Sequence, residues 1–186
     1  EIRITTDNPL GGDSAGWYID LLSPETFRGY EAEKAVTNPV VRDGKVIFTT
    51  LVPDRDPCGF GGTSWLMELD MLGGSRLQFS PFDLNRDGVF DDDDSVTANL
   101  TGTDADYPAG GIRSQEGILQ SPGVANGEFG EQDKGTPVQY KYLPGSSGNI
   151  QIIVENPGIG GTGRQSWRQV RRRRTRRTSQ DATSNG

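Results

Sequence analysis

The sequence predicts an all-β protein made of short strands joined by turns and long loops, and three observations carry that prediction. Only 32% of the 186 residues are hydrophobic, while 26 are glycine and 11 are proline. Such a composition suits many brief strands and argues against a helical bundle. An Asp43-Gly44 pair stands between two β-branched runs, the strongest short-range signal for a hairpin. Several further segments alternate apolar and polar residues with the period of two that half-buried strands require. At this length the chain can bury a sizeable core as one domain.

In chain order, Gly16-Trp17-Tyr18-Ile19-Asp20-Leu21 is a short strand bounded by glycine and by Ser23-Pro24. Pro39–Arg42 runs through Asp43-Gly44 into Lys45–Val52, and Pro53 ends the second strand because it cannot donate to a ladder. The loop 54–63 holds Cys58 and Gly61-Gly62, and it leads into Ser64–Asp70, where Trp65, Met67 and Leu69 share one face. Met71–Ser75 turns the chain into Arg76–Ser80, an alternating segment that stops at Pro81. Strand, Asp-Gly turn, strand, loop, strand, glycine turn, strand is the order of a four-stranded propeller blade. A β-sandwich is the alternative. Residues 101–134 read as loop, broken by Gly110-Gly111 and Ser121-Pro122-Gly123, with Glu116–Gln120 as one short strand. Pro137–Tyr142 alternates again and places Val138, Tyr140 and Tyr142 on one face. Asn149–Glu155 is the most apolar strand, and Asn156-Pro157 terminates it.

The segment that follows Pro81 carries the chemistry. From Asp83 to Asp94 the chain reads Asp-Leu-Asn-Arg-Asp-Gly-Val-Phe-Asp-Asp-Asp-Asp. Oxygen-bearing side chains fall at loop positions 1, 3, 5 and 9, glycine at 6 and an apolar residue at 8, which is the spacing of a Ca²⁺ loop. Calcium takes about six to eight hard oxygens, so one chain must curl tightly around it. Gly88 permits the turn, the Val89 carbonyl supplies a backbone ligand, and Phe90 is expected to anchor the loop in the core. Without a cation, six aspartates in twelve residues repel one another. The blander reading is a solvated acidic turn. Neither flank has helical periodicity, and position 12 is Asp94 where a bidentate glutamate is usual. The loop therefore reads as an EF-hand-like clip inserted into a β-protein, without the helix pair of a calcium switch.

Other features mainly exclude. The chain contains no histidine, which removes the commonest general base, the usual serine and cysteine triads and the usual transition-metal ligand. Cys58 is the sole cysteine, so it is free or paired with a segment outside the chain. No apolar run approaches the roughly 20 residues of a membrane span. The opening Glu1-Ile2-Arg3 suits a mature product or an excised piece. The net charge of −7 hides a division: residues 1–163 hold 11 basic and 25 acidic groups, whereas residues 164–186 hold eight arginines and one aspartate. Gly158-Ile159-Gly160-Gly161-Thr162-Gly163 satisfies G-x-G-x-x-G after a strand, yet Asn156-Pro157 intervenes and a polar arginine-rich tail follows. A dinucleotide site needs a helix opening in the motif and a second parallel strand.

With the hairpin, the tryptophan strand and the acidic loop established, the chain resembles the C-terminal region of the PilY family of type IV pilus tip-associated assembly and adhesion proteins. The matching segments are GWYIDL (16–21), VTNPVVRDGKVIFTTLVPDRDPCGFGGTSWLMELD (36–70), FDLNRDGVFD (82–91), GIRSQEGILQSP (111–122) and GRQSWRQV (163–170). The resemblance covers about residues 1–170. It implies a modified β-propeller, of which this chain supplies the C-terminal blades, with calcium held by Asp83, Asn85, Asp87, the Val89 carbonyl and Asp91. Asp92, Asp93 and Asp94 then lie outside the ligand set or act through water. The implied function is non-enzymatic: pilus assembly, retraction control and surface attachment. The implied location is the cell surface after export through the periplasm. The implied partners are pilus proteins such as minor pilins, a host surface, and the remainder of the same propeller. Residues 171–186, with six arginines in 171–177, match nothing in the family and read as a disordered polar tail.

Two other classes compete. Quinoprotein propeller enzymes share the NPVVRDGKVIF style of strand, but the chain lacks histidine and a vicinal cysteine pair. An anion or nucleic-acid binder acting through Arg171–Arg177 would grip phosphates with an affinity that falls steeply in salt.

Overall fold

The computed structural model describes residues 1–8, 10–21, 32–54, 61–129 and 136–158. Cys58, residues 159–163 of the glycine motif, the 163–170 segment and the 171–186 tail lie outside the described residues. Twelve strands are present in the described part: β1 (Ile2–Arg3), β2 (Lys34–Ala35), β3 (Val40–Arg42), β4 (Lys45–Pro53), β5 (Gly62–Thr63), β6 (Trp65–Asp70), β7 (Ser95–Asn99), β8 (Asp104–Pro108), β9 (Gly111–Arg113), β10 (Gly123–Phe129), β11 (Thr136–Pro144) and β12 (Ile150–Glu155). The only helix among the described residues is a single 3-10 turn, Asp92–Asp94. The all-β expectation holds.

The Asp-Gly hairpin forms as expected. Val40, Val41 and Arg42 pair with Ile47, Val46 and Lys45, and both turn residues adopt positive φ, 50° at Asp43 and 77° at Gly44. Around β4 grows an open seven-stranded sheet in which β1, β9, β6, β4 and β2 lie side by side and β3 and β5 also pair with β4. A second sheet is the antiparallel meander β10-β11-β12, and β7 and β8 form a separate ribbon.

Central strands β4 and β6 are buried on both faces. On one side Phe48, Val52, Trp65, Met67 and Leu69 pack with Trp17, Ile19 and Leu21. On the other, Ile47 and Leu66 join Phe82, Ala109, Leu119, Leu143 and Ile153, which brings the second sheet against the first. The shared face of Trp65, Met67 and Leu69 is thus core, as their alternation indicates.

Five expectations need correction. Gly16–Leu21 is not a strand; its Trp17 Nε1 donates to the Met71 carbonyl at 3.1 Å and its apolar side chains cover the sheet face. The Trp17 ring lies where a Cβ on Gly74 would stand, and Gly74 has φ +66, so this contact demands glycine. Arg76–Ser80 is not the fourth strand of the meander. Its backbone bonds are drawn off to other loops, as when Arg76 N–H donates to the Thr6 carbonyl at 3.1 Å, and β9 takes the place beside β6 through Leu66↔Ile112 and Met67↔Gly111. Residues 101–129 contain β8, β9 and the whole of β10 rather than continuous loop, and 130–134 lie outside the described residues. In β7 and β8 the facing pairs include Thr97↔Asp106 and Asn99↔Asp104, exposed residues whose polarity conceals a strand. Glu116–Gln120 is a turn with one isolated bridge, Leu119↔Gly145. The last correction concerns β11, where Gln139, Lys141 and Leu143 face the core at 0% exposure, and of the alternating set Val138 is buried at 1% while Tyr142 is 41% exposed.

The N-terminal strand is tied down electrostatically. Arg3 forms a fork with both Glu33 oxygens at 2.8 Å, and its guanidinium lies 4.2 Å from the centre of the Trp65 ring. Arg3→Lys keeps the charge but loses the bidentate geometry and the stacking. We expect a loss of about 1–2 kcal/mol, seen as a lower midpoint in chemical denaturation.

Candidate metal centre

The acidic loop is suspended between two buried points. Phe82 is 1% exposed and bridges to Glu155 at the end of β12, and Leu84 packs against the same core cluster. The anchoring that the sequence assigns to Phe90 therefore belongs to Phe82 and Leu84, and Phe90 is only half-buried. On the far side, Ser80 Oγ donates to the Asp94 carbonyl at 3.1 Å, which closes the loop at its base.

Inside the loop, side-chain oxygens accept from backbone N–H groups a few residues on. Asp83 Oδ2 accepts from Gly88 at 3.0 Å, Asn85 Oδ1 from Asp87 at 2.9 Å, and Asp87 Oδ1 from Val89 at 2.8 Å. These are the local turns that short acidic and amide side chains favour. Asn85 Nδ2 also donates to Asp87 Oδ2 at 3.0 Å. Gly88 takes φ +82, as a tight curl at position 6 requires, and Arg86 takes φ +65. The backbone is thus already wound in the sense that the spacing predicts.

Asp94 is a residue whose role the spacing did not reveal. Its carboxylate is fully buried; Oδ1 accepts from Leu84 N at 2.7 Å and Asn85 N at 3.3 Å, and Oδ2 accepts from Asp91 N at 3.3 Å. Burial raises its pKa above the ordinary carboxylate value, the three N–H groups oppose that, and the Asp83 charge adds to it. Asp91 Oδ1 in turn accepts from Asp93 N at 3.0 Å, so Asp91 and Asp94 together cap the Asp92–Asp94 turn in a reciprocal box. Both oxygens of Asp94 are thereby occupied by backbone. Asp92 and Asp93 are exposed to solvent.

The five predicted ligand residues lie on one loop, with Asn85, Asp87, Val89 and Asp91 exposed and Asp83 half-buried. Among the described residues no three carboxylate, imidazole or thiolate side chains converge as a ready metal cluster. One atom within the loop lacks a partner: Asp83 Oδ1 is buried and accepts no hydrogen bond. A buried carboxylate oxygen of that kind costs free energy unless something positive meets it. Donor chemistry at positions 1, 3, 5, 7 and 9 is hard oxygen throughout, which fits calcium and does not fit softer metals.

Fold and loop together define a class: an all-β protein with a long acidic loop clipped to the end of its core. No family model matches the chain. It is 28% identical over 176 residues, 91% of its length, to the Type IV pilus biogenesis factor PilY1 of Pseudomonas aeruginosa. To a PilY1 homolog of Xylella fastidiosa it is 30% identical over 183 residues. The chain spans only 13% and 12% of these two relatives. In three dimensions it is similar to the crystal structure of the P. aeruginosa PilY1 C-terminal domain, with a TM-score of 0.58 at 22% identity, over 84% of this chain and 28% of that one. The chain belongs to the PilY family and has the fold of its C-terminal region.

Proposed function

We propose that this chain is a non-enzymatic segment of a type IV pilus biogenesis protein, and that its 83–91 loop binds calcium. The observation that carries the pilus role is the extent of the likeness: nine-tenths of the chain aligns with proteins named as type IV pilus biogenesis factors. Retraction control and surface attachment belong to the same reading, as do partners among the minor pilins and a host surface. In this reading the chain acts outside the cell.

Calcium would be held by Asp83, Asn85, Asp87, the Val89 carbonyl and Asp91, with Asp83 Oδ1 relieved of its isolation. The cation would offset the repulsion among the three aspartates and hold the exposed half of the loop in one conformation. A pilus partner that contacts the ordered loop is then favoured in proportion to its preference for the calcium form. The segment is read as the last blades of a β-propeller. Tyr142 and Ile152 face each other on β11 and β12 with Ile150 beside them, all exposed, and the remainder of the protein is placed against that apolar face.

Calorimetric titration of the full-length protein with calcium tests the site. Micromolar or weaker affinity is expected, in the range of extracellular modules. Asp87→Ala should abolish binding while the protein is still made and exported, and cells carrying it should lose surface pili or twitching. Unchanged calorimetry in Asp87→Ala would falsify the ligand assignment. Normal pili and motility with binding lost would leave the loop a structural clip only.

A further inference from the structure

Between the two sheets lies a charged cluster that the calcium and pilus readings do not use. Lys45 of β4, Glu68 of β6, Lys141 of β11 and Glu155 of β12 are each 0–1% exposed. Lys45 Nζ sits 3.1 Å from Glu68 Oε2 and donates to the Asn156 carbonyl at 3.0 Å. The Lys141 amine is in direct contact with both Glu68 and Glu155. Register explains the meeting: Glu155 pairs with Gln139, so it stands diagonally across from Lys141 on the inward face. Leu143 and Ile47 flank the cluster in the core, and Phe82 bridges to Glu155.

The four groups are not equally provided for. Glu68 serves two lysines. Apart from Lys141, neither oxygen of Glu155 has a hydrogen-bonding partner among the described residues. Burial in that state penalises both the carboxylate and the ammonium, because an apolar interior disfavours each charge. Burial pushes Lys141 down to about 8, against the pull of Glu68. Moving one proton from Lys141 to Glu155 leaves a neutral amine against a neutral carboxylic acid. Those are the two reactants of amide condensation, held in contact within a rigid core, which is where effective concentrations become very large.

We propose that Lys141 and Glu155 become joined by an intramolecular isopeptide bond, formed with Glu68 as the proton carrier. The Lys141 Nζ lone pair attacks Glu155 Cδ and the C–N bond forms. The Glu68 carboxylate, already touching Nζ, accepts the amine proton and delivers it to the departing hydroxyl. The C–O bond breaks and one water leaves; no oxidant, cofactor or other reactant is needed. Four buried charges become two, a single Lys45–Glu68 pair. The bond ties edge strand β12 covalently to β11. Neither calcium binding nor a pilus role is required for it.

The test is peptide mass spectrometry on the purified full-length protein, denatured and digested with trypsin. Lys141 and Glu155 both fall within the tryptic stretch 135–164, which an unmodified chain yields as two peptides cut after Lys141. The expected result is one peptide, uncut at Lys141 and lighter than its sequence by one water, with fragment ions that place the link between Lys141 and Glu155. Cleavage at Lys141 into two peptides of full sequence mass overturns the proposal, and so does an uncut peptide of full mass. Glu155→Ala should restore cleavage. Glu68→Gln should yield folded but unlinked protein, and a linked Glu68→Gln protein would overturn the role given to Glu68. Should either variant fail to fold, the unsubstituted protein alone decides.

Discussion

Glu68→Ala is expected to destabilise this domain by about 3–5 kcal/mol, because it removes the buried carboxylate that Lys45 and Lys141 share and leaves Glu155 to balance two lysines. The loss of packing is secondary to that charge imbalance. A second substitution separates the two effects. Lys45→Met combined with Glu68→Leu removes one positive and one negative group of similar length and leaves Lys141 with Glu155. That double variant should recover most of what the charge imbalance alone costs, since buried pairs replaced by apolar side chains are often neutral or stabilising. Denaturation midpoints of the two variants and of the unsubstituted protein measure it. Equal losses in the single and the double variant would show that charge balance does not govern the site.

The second large effect is expected at Asp94. Asp94→Ala removes the acceptor for the N–H groups of Leu84, Asn85 and Asp91 and dissolves the reciprocal cap of the Asp92–Asp94 turn. Two of those groups are held at the base of the loop next to the buried Phe82, so water replaces the carboxylate poorly. Charge-assisted bonds of this kind contribute about 1.5–3 kcal/mol each before the loop relaxes, and a net loss of about 3 kcal/mol is expected. Calcium affinity should fall along with loop order, although Asp94 is outside the proposed ligand set. Asp92→Ala and Asp93→Ala, at exposed positions, should change neither. Limited proteolysis of the loop and calcium calorimetry, run on all three variants, distinguish the organiser from its neighbours. An Asp94→Ala protein with an intact loop and full calcium affinity would remove Asp94 from the account.

Local signals decided much of this protein without tertiary help. Asp43-Gly44 specifies its turn because both positions need positive φ, and the flanking β-branched residues can do little except pair. The alternation of Trp65, Met67 and Leu69 identified a core face, since a period of two places those side chains together whatever lies opposite. Gly88 and the oxygen spacing of 83–91 specified a tight curl, which the backbone adopts through bonds spanning two to five residues. Each of these is a short-range interaction.

What only the tertiary structure decided are the long-range choices. Strand β9, not 76–80, pairs with β6, and three residues beginning in glycine carry too little pattern to announce it. Gly111 is suited there because a Cβ would strike the Met67 sulfur, a neighbour 44 positions away. Lys141 and Gln139 occupy the inward face of β11, and alternation points the wrong way because it counts polarity and cannot see a partner. Glu68 and Glu155 arrive from other strands, and only their arrival makes a buried lysine tolerable. Asp94 reads as one of four consecutive acidic residues until the fold buries it and aims it back at Leu84 and Asn85. Local sequence sets which backbone bends are available, whereas burial of charge is settled by whichever distant strand brings the opposite charge.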